Sequence, residues 1–356
     1  MLGFSVYLNE SLKKQEKVIE SYRARGFNMV FTSLHIPEED SSTYRERLYA
    51  LGKITGGLKM GLMMDIASDS FSCLGLSLHE AEQLSDLGVT GLRLDEGFDE
   101  QTTADLSGKI SIALNASRLT PESLNQMKGY GMDVDRVSAW HNFYPRPETG
   151  LDRTAFRSMN KMLQQEGLSI AAFFPGDKVF RGPLYQGLPT LEDHRYVSPF
   201  SAYADLLLRE KIDDIVLGDP ELTEDSLQQF SSWEKRVFLL RANPETDDRN
   251  LLQAASAVQS NRTDEARDCI RSRESRQLPL TSPPVVPFNT RQRRTGSITI
   301  DNELYKRYQG EIQIVKKDLP ADPKVNVIGH VIEADLPLLS LIHGGDSFQI
   351  KWVNES

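Results

Sequence analysis

Two cysteines in 356 residues, Cys73 and Cys269, are too few and too far apart for a disulfide framework, and neither stands in a metal-ligand spacing. Long apolar runs are also missing; none approaches the roughly 20 residues that a membrane-spanning helix needs. Basic residues are outnumbered, 41 Lys and Arg against 51 Asp and Glu, for a formal net charge of −10. That balance excludes a broad surface for nucleic acid or anionic membrane, while leaving room for a small basic pocket around one phosphate. The turn after the first apolar run reads Leu8-Asn9-Glu10-Ser11, without the glycines of a dinucleotide-binding loop. His35 with Glu38 and Glu39 is the nearest approach to a metal set, and His-x-x-Glu alone does not make one. No cofactor is expected. The first ten residues have no basic n-region, so no signal peptide is expected and the default is a cytoplasmic protein.

What is present is a rhythm. Short apolar runs at 4–8, 29–32, 61–64, 91–94, 110–114, 136–140, 170–174 and 214–217 recur at the period of β/α units. Helix signals fall between them. Tyr44, Leu48, Leu51 and Ile54 share one helical face. Ser77 and Glu80 form a capping box ahead of Leu84, and Gly88 stops that helix. Thr120-Pro121 and Ser198-Pro199 each read as an N-cap followed by proline at the first helical position. Eight such units without an antiparallel hairpin signal predict an α/β fold, a closed (β/α)8 TIM barrel.

Beyond Asp219 the character changes, and the boundary is placed at 235: a barrel over 1–235 and a small, mostly β domain over 236–356. Strands are expected at 236–240, 297–300, 311–315, 325–332 and 347–352, with Gly344-Gly345 as a hairpin turn. The polar stretch 247–275 reads as helix plus a mobile connection, and the prolines at 279, 283 and 284 as extended chain.

Side-chain alternation divides each barrel strand into an outer and an inner face. It places Ser5, Tyr7 and Asn9 inside on the first strand, Gly91, Arg93 and Asp95 on the fourth, and Ala113 and Asn115 on the fifth; Asp65 ends the third. The polar residues collect at the C-terminal ends of the strands, where barrel enzymes carry their sites. Glycoside hydrolysis needs two carboxyl groups, and Asp95 with Glu96 leads the candidates. Arg93 shares the face of Asp95, and a guanidinium there favours an ionised carboxylate, suited to a nucleophile, a stabiliser or an orienting group. Glu148 and Asp177 are the candidates for the opposing acid or base. In the loop after the sixth strand, His141, Asn142, Tyr144 and Arg146 offer rings and hydrogen-bonding groups for a sugar. In the long loop after the seventh, Lys178, Arg181 and Arg195 offer guanidinium or ammonium groups for a phosphate or carboxylate. Asn289, Arg291, Arg293 and Arg294 form a second basic run ahead of the β domain's alternating strands.

The strings Gly3-Phe4-Ser5-Val6-Tyr7, the run from Trp140 to Leu151 (WHNFYPRPETGL), Arg181-Gly182-Pro183-Leu184, 187–192, and Ile300-Asp301-Asn302 with Tyr305 resemble the bacterial 6-phospho-N-acetylmuramidases over essentially the whole length. The resemblance implies a TIM barrel followed by a cyclophilin-like β domain. It also implies cytoplasmic cleavage of the β-1,4 bond between N-acetylmuramic acid 6-phosphate and N-acetylglucosamine in cell-wall recycling. The expected partner is thus a small phosphorylated amino-sugar disaccharide, whose own N-acetyl group could serve as nucleophile, rather than nucleic acid or membrane. A non-catalytic sugar-phosphate sensor and a hydrolase for another 6-phosphoglycoside are the alternatives. An isomerase or aldolase would want a strand-end lysine or a metal site, and neither is found.

Overall fold

The structure, a computed structural model, describes residues 1–8, 12–33, 44–68, 70–74, 76–275 and 284–353. Asn9, His35, Glu38 and Glu39 lie outside them. Eight strands, β1 (Leu2–Ser5), β2 (Met29–Ser33), β3 (Gly61–Ile66), β4 (Gly91–Leu94), β5 (Ser111–Asn115), β6 (Val137–Trp140), β7 (Ser169–Phe174) and β8 (Asp214–Leu217), close into a barrel in chain order, every neighbouring pair parallel. The first strand begins earlier than its apolar run suggests. The amide of Ile215 donates to the Met1 carbonyl (2.9 Å), drawing the chain start into the ladder, and Tyr7 falls past the strand's end.

The alternation holds inside the barrel. Met29, Phe31, Ala113, Trp140, Ala171, Phe173 and Val216 form its buried core, and Phe31, Trp140 and Phe173 pack ring against ring with centroids 5.5–5.9 Å apart. Each buried ring of this size contributes roughly 1.5–3 kcal/mol. Outward residues such as Leu92, Ile112 and Leu114 are buried instead beneath the helices.

Helices α1 (Leu12–Arg23), α2 (Tyr44–Gly57), α3 (Ser70–Cys73), α4 (Glu100–Ser107), α5 (Pro121–Gly129), α6 (Arg153–Gln165), α7 (Pro199–Ala204) and α8 (Glu224–Trp233) alternate with the strands. Their starts follow the expected caps. Thr120 Oγ1 accepts the Ser123 amide (3.2 Å) and Ser198 Oγ the Ser201 amide (3.2 Å), each worth about 1 kcal/mol. Leu48 and Leu51 on α2 are fully buried. The helix expected after Ser77 is a 3-10 stretch, Leu78–Leu87; Glu80 returns to the Ser77 amide (2.9 Å) and Gly88 ends it at φ 82°. No helix among the described residues is long and apolar enough to cross a membrane.

Packing divides the chain into two units, Met1–Arg195 with Leu206–Thr223, and Tyr196–Asp205 with Glu224–Ser356. Helices α7 and α8 thus group with the second unit. Gln229 of α8 donates to the Leu239 carbonyl (2.9 Å) and to Asp335 (3.0 Å), whose carboxylate also holds Arg241. The second unit carries a seven-stranded sheet of β9 (Val237–Pro244), β10 (Gln259–Ser260), β11 (Cys269–Arg271), β12 (Ser297–Asp301), β13 (Ile312–Val315), β14 (Val325–Val331) and β15 (Ser347–Trp352), in the order β10-β15-β9-β14-β12-β13-β11.

Two local expectations are corrected. Gly344-Gly345 is not a hairpin turn: β15 pairs with β9 in parallel and with β10, not with β14. Gly345, at φ 94°, turns the chain after a 3-10 segment, Glu333–Ser340. Within 247–275, helix α9 (Arg249–Ala255) is followed by β10 and β11. Strands of two and three residues are too short to show an alternation.

Candidate active site

Parallel register sets Ser33, Asp65 and Arg93 abreast at the ends of β2, β3 and β4. Their side chains interlock there. Asp65 accepts from Ser33 Oγ at 3.0 Å and lies 2.6 Å from Arg93 Nη1. The same Nη1 is 3.6 Å from a carboxylate oxygen of Asp95, one residue past β4. The other guanidinium nitrogen, Nη2, donates to Asn142 Oδ1 in the loop after β6. The side chains of Arg93 and Asp65 are 7% and 13% exposed, that of Asp95 28%. One buried cation therefore organises two acids of unequal freedom. Asp65 is held from two sides, whereas among the described residues the Asp95 carboxylate has the longer ionic contact alone and more solvent. The nearest oxygens of the two acids are no more than about 6 Å apart, since Arg93 Nη1 is 2.6 Å from one and 3.6 Å from the other.

These groups line a cavity of about 280 Å³ at the C-terminal end of the barrel, with Phe31, Phe143, Tyr144, Phe173 and Arg181 as the remaining wall. The rings offer apolar faces, and the two acids, Asn142 and Arg181 polar ones, which is the composition of a small-molecule site. Arg181 rests its guanidinium 4.6 Å above the Tyr7 ring and 5.7 Å from the Phe143 ring. Tyr7 beneath it is fixed by donation to the Gly218 carbonyl (2.7 Å), and burial pushes its hydroxyl up to about 12.

Asp219, just past β8 and fully buried, holds the loop that carries Arg181. Its carboxylate accepts the amides of Gly176 (2.9 Å), Arg181 (3.0 Å) and Leu188 (3.0 Å). Burial raises its pKa, and the three amides pull the other way. Gly176 is required by the close approach: a Cβ there would meet Asp219 Cβ at 2.8 Å and the Glu221 carbonyl at 3.0 Å.

The structure spreads the remaining sequence candidates. Asp95, Asn142, Tyr144 and Arg181 line the cavity, with Tyr7 under the last. Glu96, Glu148 and Arg146 are exposed and do not line it. Asp177 is committed to Thr223, accepting its amide and its hydroxyl at 2.8 Å each. Asn115 caps a short 3-10 turn through Ser117 (3.1 Å) and lines, with Asp95, a neighbouring cavity of about 170 Å³. His141 follows Trp140, and since Trp140 points into the barrel, His141 points out. It bonds Asn160 at 2.6 Å and packs on Phe156 of α6, where burial lowers its pKa to about 4. Arg195 has no exposed side-chain surface. It grips Glu192 through two nitrogens (2.6 and 2.7 Å) and donates to the carbonyls of Gln186, Gly187, Tyr144 and Arg146. It therefore clamps the loops after β6 and β7 together instead of facing the cavity. Its hydrogen bonds, with the Glu148 and Gly150 amides, hold Glu192 down to about 2. Arg294 belongs to the second unit.

Asp65 was within reach of sequence reasoning, because it stands on the inner face next to the last residue of β3; what the sequence lacks is any sign that it shares Arg93 with Asp95. Phe31 and Phe173 likewise carry the inward parity of their strands. Asp219 gave no signal beyond its place after the eighth run.

The chain matches two family models. One, described as 6-phospho-N-acetylmuramidase, N-terminal, spans residues 2–232; the other, described as 6-phospho-N-acetylmuramidase, C-terminal, spans 238–351. Among solved structures, a conserved protein of unknown function from Enterococcus faecalis is 41% identical with a TM-score of 0.91, the match covering 100% of this chain and 97% of that one. An uncharacterized B. cereus protein is 24% identical with a TM-score of 0.73 over 98% of this chain and 99% of its own, a likeness of fold. No curated protein matches the chain.

Proposed function

This chain belongs to the 6-phospho-N-acetylmuramidase family, and from that premise we propose that its barrel hydrolyses the β-1,4 bond of N-acetylmuramic acid 6-phosphate–N-acetylglucosamine, releasing the two sugars. The observation that carries this reading is the pair Asp65 and Asp95, gathered round Arg93 in one ring-walled cavity at the strand ends. Asp95, the freer carboxyl, is the proton donor to the leaving O4. Asp65, held by Arg93 and Ser33, is the fixed carboxylate that stabilises the developing positive charge or orients the substrate's N-acetyl group for attack on the anomeric carbon. Water then completes the hydrolysis, giving its proton back to Asp95. Glu96, Glu148 and Asp177, named from sequence, have no part in this scheme.

The rings of Phe31, Phe143, Tyr144 and Phe173 suit the apolar faces of a pyranose. Arg181 suits the phosphate or the lactyl carboxylate, because a guanidinium donates to two oxygens of either group at once. We place the reaction in the cytoplasm, in the reuse of cell-wall sugars, since a 6-phosphorylated disaccharide is the product of phosphorylating uptake. Attack by the N-acetyl oxygen and then by water makes two inversions at the anomeric carbon, so the first product should be the β-anomer.

The test is incubation with the 6-phosphorylated and the unphosphorylated disaccharide, following released N-acetylglucosamine and the anomeric proton by NMR. Release from the phosphorylated form only, with β-product first, is expected. No release from either disaccharide sinks the reading, and α-product first sinks the assignment of the two acids.

A further inference from the structure

The second unit holds a cleft of about 690 Å³ that the barrel chemistry leaves unused, lined by Asn243, Pro244, Glu245, Arg291, Gln292, Arg294, Ser297 and His330. Its floor is built by register. Ser297 on β12, His330 on β14 and Asn243 on β9 are directly paired across three neighbouring strands, so their side chains stand on one face of the sheet. Its rim is the basic run that precedes β12. The acids around it are already engaged. Glu245 pairs with Arg291 and accepts from Asn289 (3.4 Å). Asp318 accepts the Thr295 amide (2.8 Å) and hydroxyl (3.0 Å).

Two side-chain groups of the cleft, the Arg294 guanidinium and His330 Nε2, make no hydrogen bond among the described residues. The Arg294 carbonyl accepts the Ser297 amide (2.8 Å), while its exposed guanidinium makes no hydrogen bond or ion pair among the described residues, though, behind the Thr295 amide, its charge helps hold the Asp318 pKa down. His330 Nδ1 donates to the Val331 carbonyl at 2.8 Å, so on the neutral ring Nε2 carries the lone pair and can accept from a ligand hydroxyl. The same bond fixes the orientation of the ring. A guanidinium, an imidazole edge, two amides and a hydroxyl in one cleft of a chain with net charge −10 form a local site for a small polar anion. The volume falls in the range of roughly 300–1,000 Å³ that small molecules occupy, more than a bare phosphate fills.

We propose that this cleft is a second binding site, for the phosphomonoester of a sugar, with Arg294 on the phosphate, His330 Nε2 accepting from one sugar hydroxyl, and Asn243, Gln292 and Ser297 on the others. It stands on the second unit's geometry and is independent of the barrel acids.

The experiment is hydrogen exchange by mass spectrometry on the full chain, with N-acetylmuramic acid 6-phosphate, unphosphorylated N-acetylmuramic acid and inorganic phosphate as separate probes. The phosphorylated sugar should slow exchange in 289–297 and 327–331 saturably; the unphosphorylated sugar should not, and inorganic phosphate should do so at least tenfold more weakly. Arg294→Ala, which removes an exposed side chain, should weaken the response at least tenfold. Arg307→Ala, an exposed arginine elsewhere on the same unit, should leave it unchanged, and Asp65→Asn in the barrel should leave it unchanged too. Equal protection by the unphosphorylated sugar, an unaltered response in Arg294→Ala, or no protection of 289–297 would overturn the site. Equal protection by inorganic phosphate would overturn the sugar assignment. Loss of turnover in Asp65→Asn with the response intact separates this site from the barrel reading.

Discussion

Replacing Asp65 by Asn should damage both folding and turnover, and replacing Asp95 by Asn only turnover. The contrast follows from how each acid is held. Asp65 is 13% exposed, lies 2.6 Å from a guanidinium that is itself 7% exposed, and also accepts from Ser33. Breaking a buried ion pair costs roughly 3–5 kcal/mol when the remaining charge is left alone. Here Arg93 keeps Asn142 and the longer contact to Asp95, and Asn still offers a carbonyl oxygen. The loss is then closer to that of one charge-assisted hydrogen bond, about 1.5–3 kcal/mol. For a unit of this size each kcal/mol moves the melting temperature by about 2–4 °C, so Asp65→Asn should melt roughly 3–12 °C lower. Asp95 is 28% exposed and 3.6 Å from Arg93; losing such a contact costs on the order of 0.5 kcal/mol, a shift of about 1–2 °C. Both variants should lose about 10²–10⁴ in kcat, the range attributed to a positioned acid or base. Thermal melts and steady-state release of N-acetylglucosamine measure the two effects separately. An Asp65→Asn variant that melts with the wild type, or an Asp95→Asn variant within twofold of wild-type kcat, would refute the division of roles.

Three further outcomes follow from the same geometry. Arg181→Ala should raise KM for the phosphorylated disaccharide at least tenfold and change kcat much less; an unchanged KM would remove Arg181 from the substrate. Asp219→Asn leaves three inward-pointing amides with one carbonyl oxygen in place of a carboxylate. At about 1–3 kcal/mol for each amide left unsatisfied, exchange should quicken across 176–188, and a loop exchanging at the wild-type rate would contradict its role as a clamp. Stability should fall as pH drops from about 6.5 toward 4, because His141 titrates near 4 in the fold and near 6.5 in the unfolded chain. The unfolded state therefore binds the extra proton first. The loss is on the order of 3 kcal/mol at about 1.4 kcal/mol per unit. His141→Gln should flatten that part of the profile, and an unaltered pH profile in the variant would assign the acid sensitivity elsewhere.

Much of the scaffold was local information. Eight apolar runs, the caps at Thr120 and Ser198 and the stop at Gly88 are each set by a few neighbouring residues, through period, capping and the left-handed freedom of glycine. Strand parity also placed Arg93 and Ala113 inside before any contact was known. Applied one step further, it would have separated Trp140, which enters the core, from His141, which turns out to α6. The short strands β10 and β11 escaped because their pairing partners, in β15 and β13, lie dozens of residues away.

The site itself was a tertiary decision. Arg93 and Asn142 are 49 residues apart, Arg181 and Asp219 38, and Asp65 and Arg93 28. No sequence pattern says which rim residues meet, because that depends on barrel closure and on where two long loops come to rest. The sequence by itself determined the barrel and the end of it that would carry polar groups. Only the folded chain decided that Asp95 faces Asp65 across one arginine rather than pairing with Glu96, and that Arg195 is spent holding loops while Arg181 stands over the cavity. The physical reason is that a buried guanidinium is stabilised by partners wherever packing brings them, and those of Arg93 come from β3, the residue after β4 and the loop after β6.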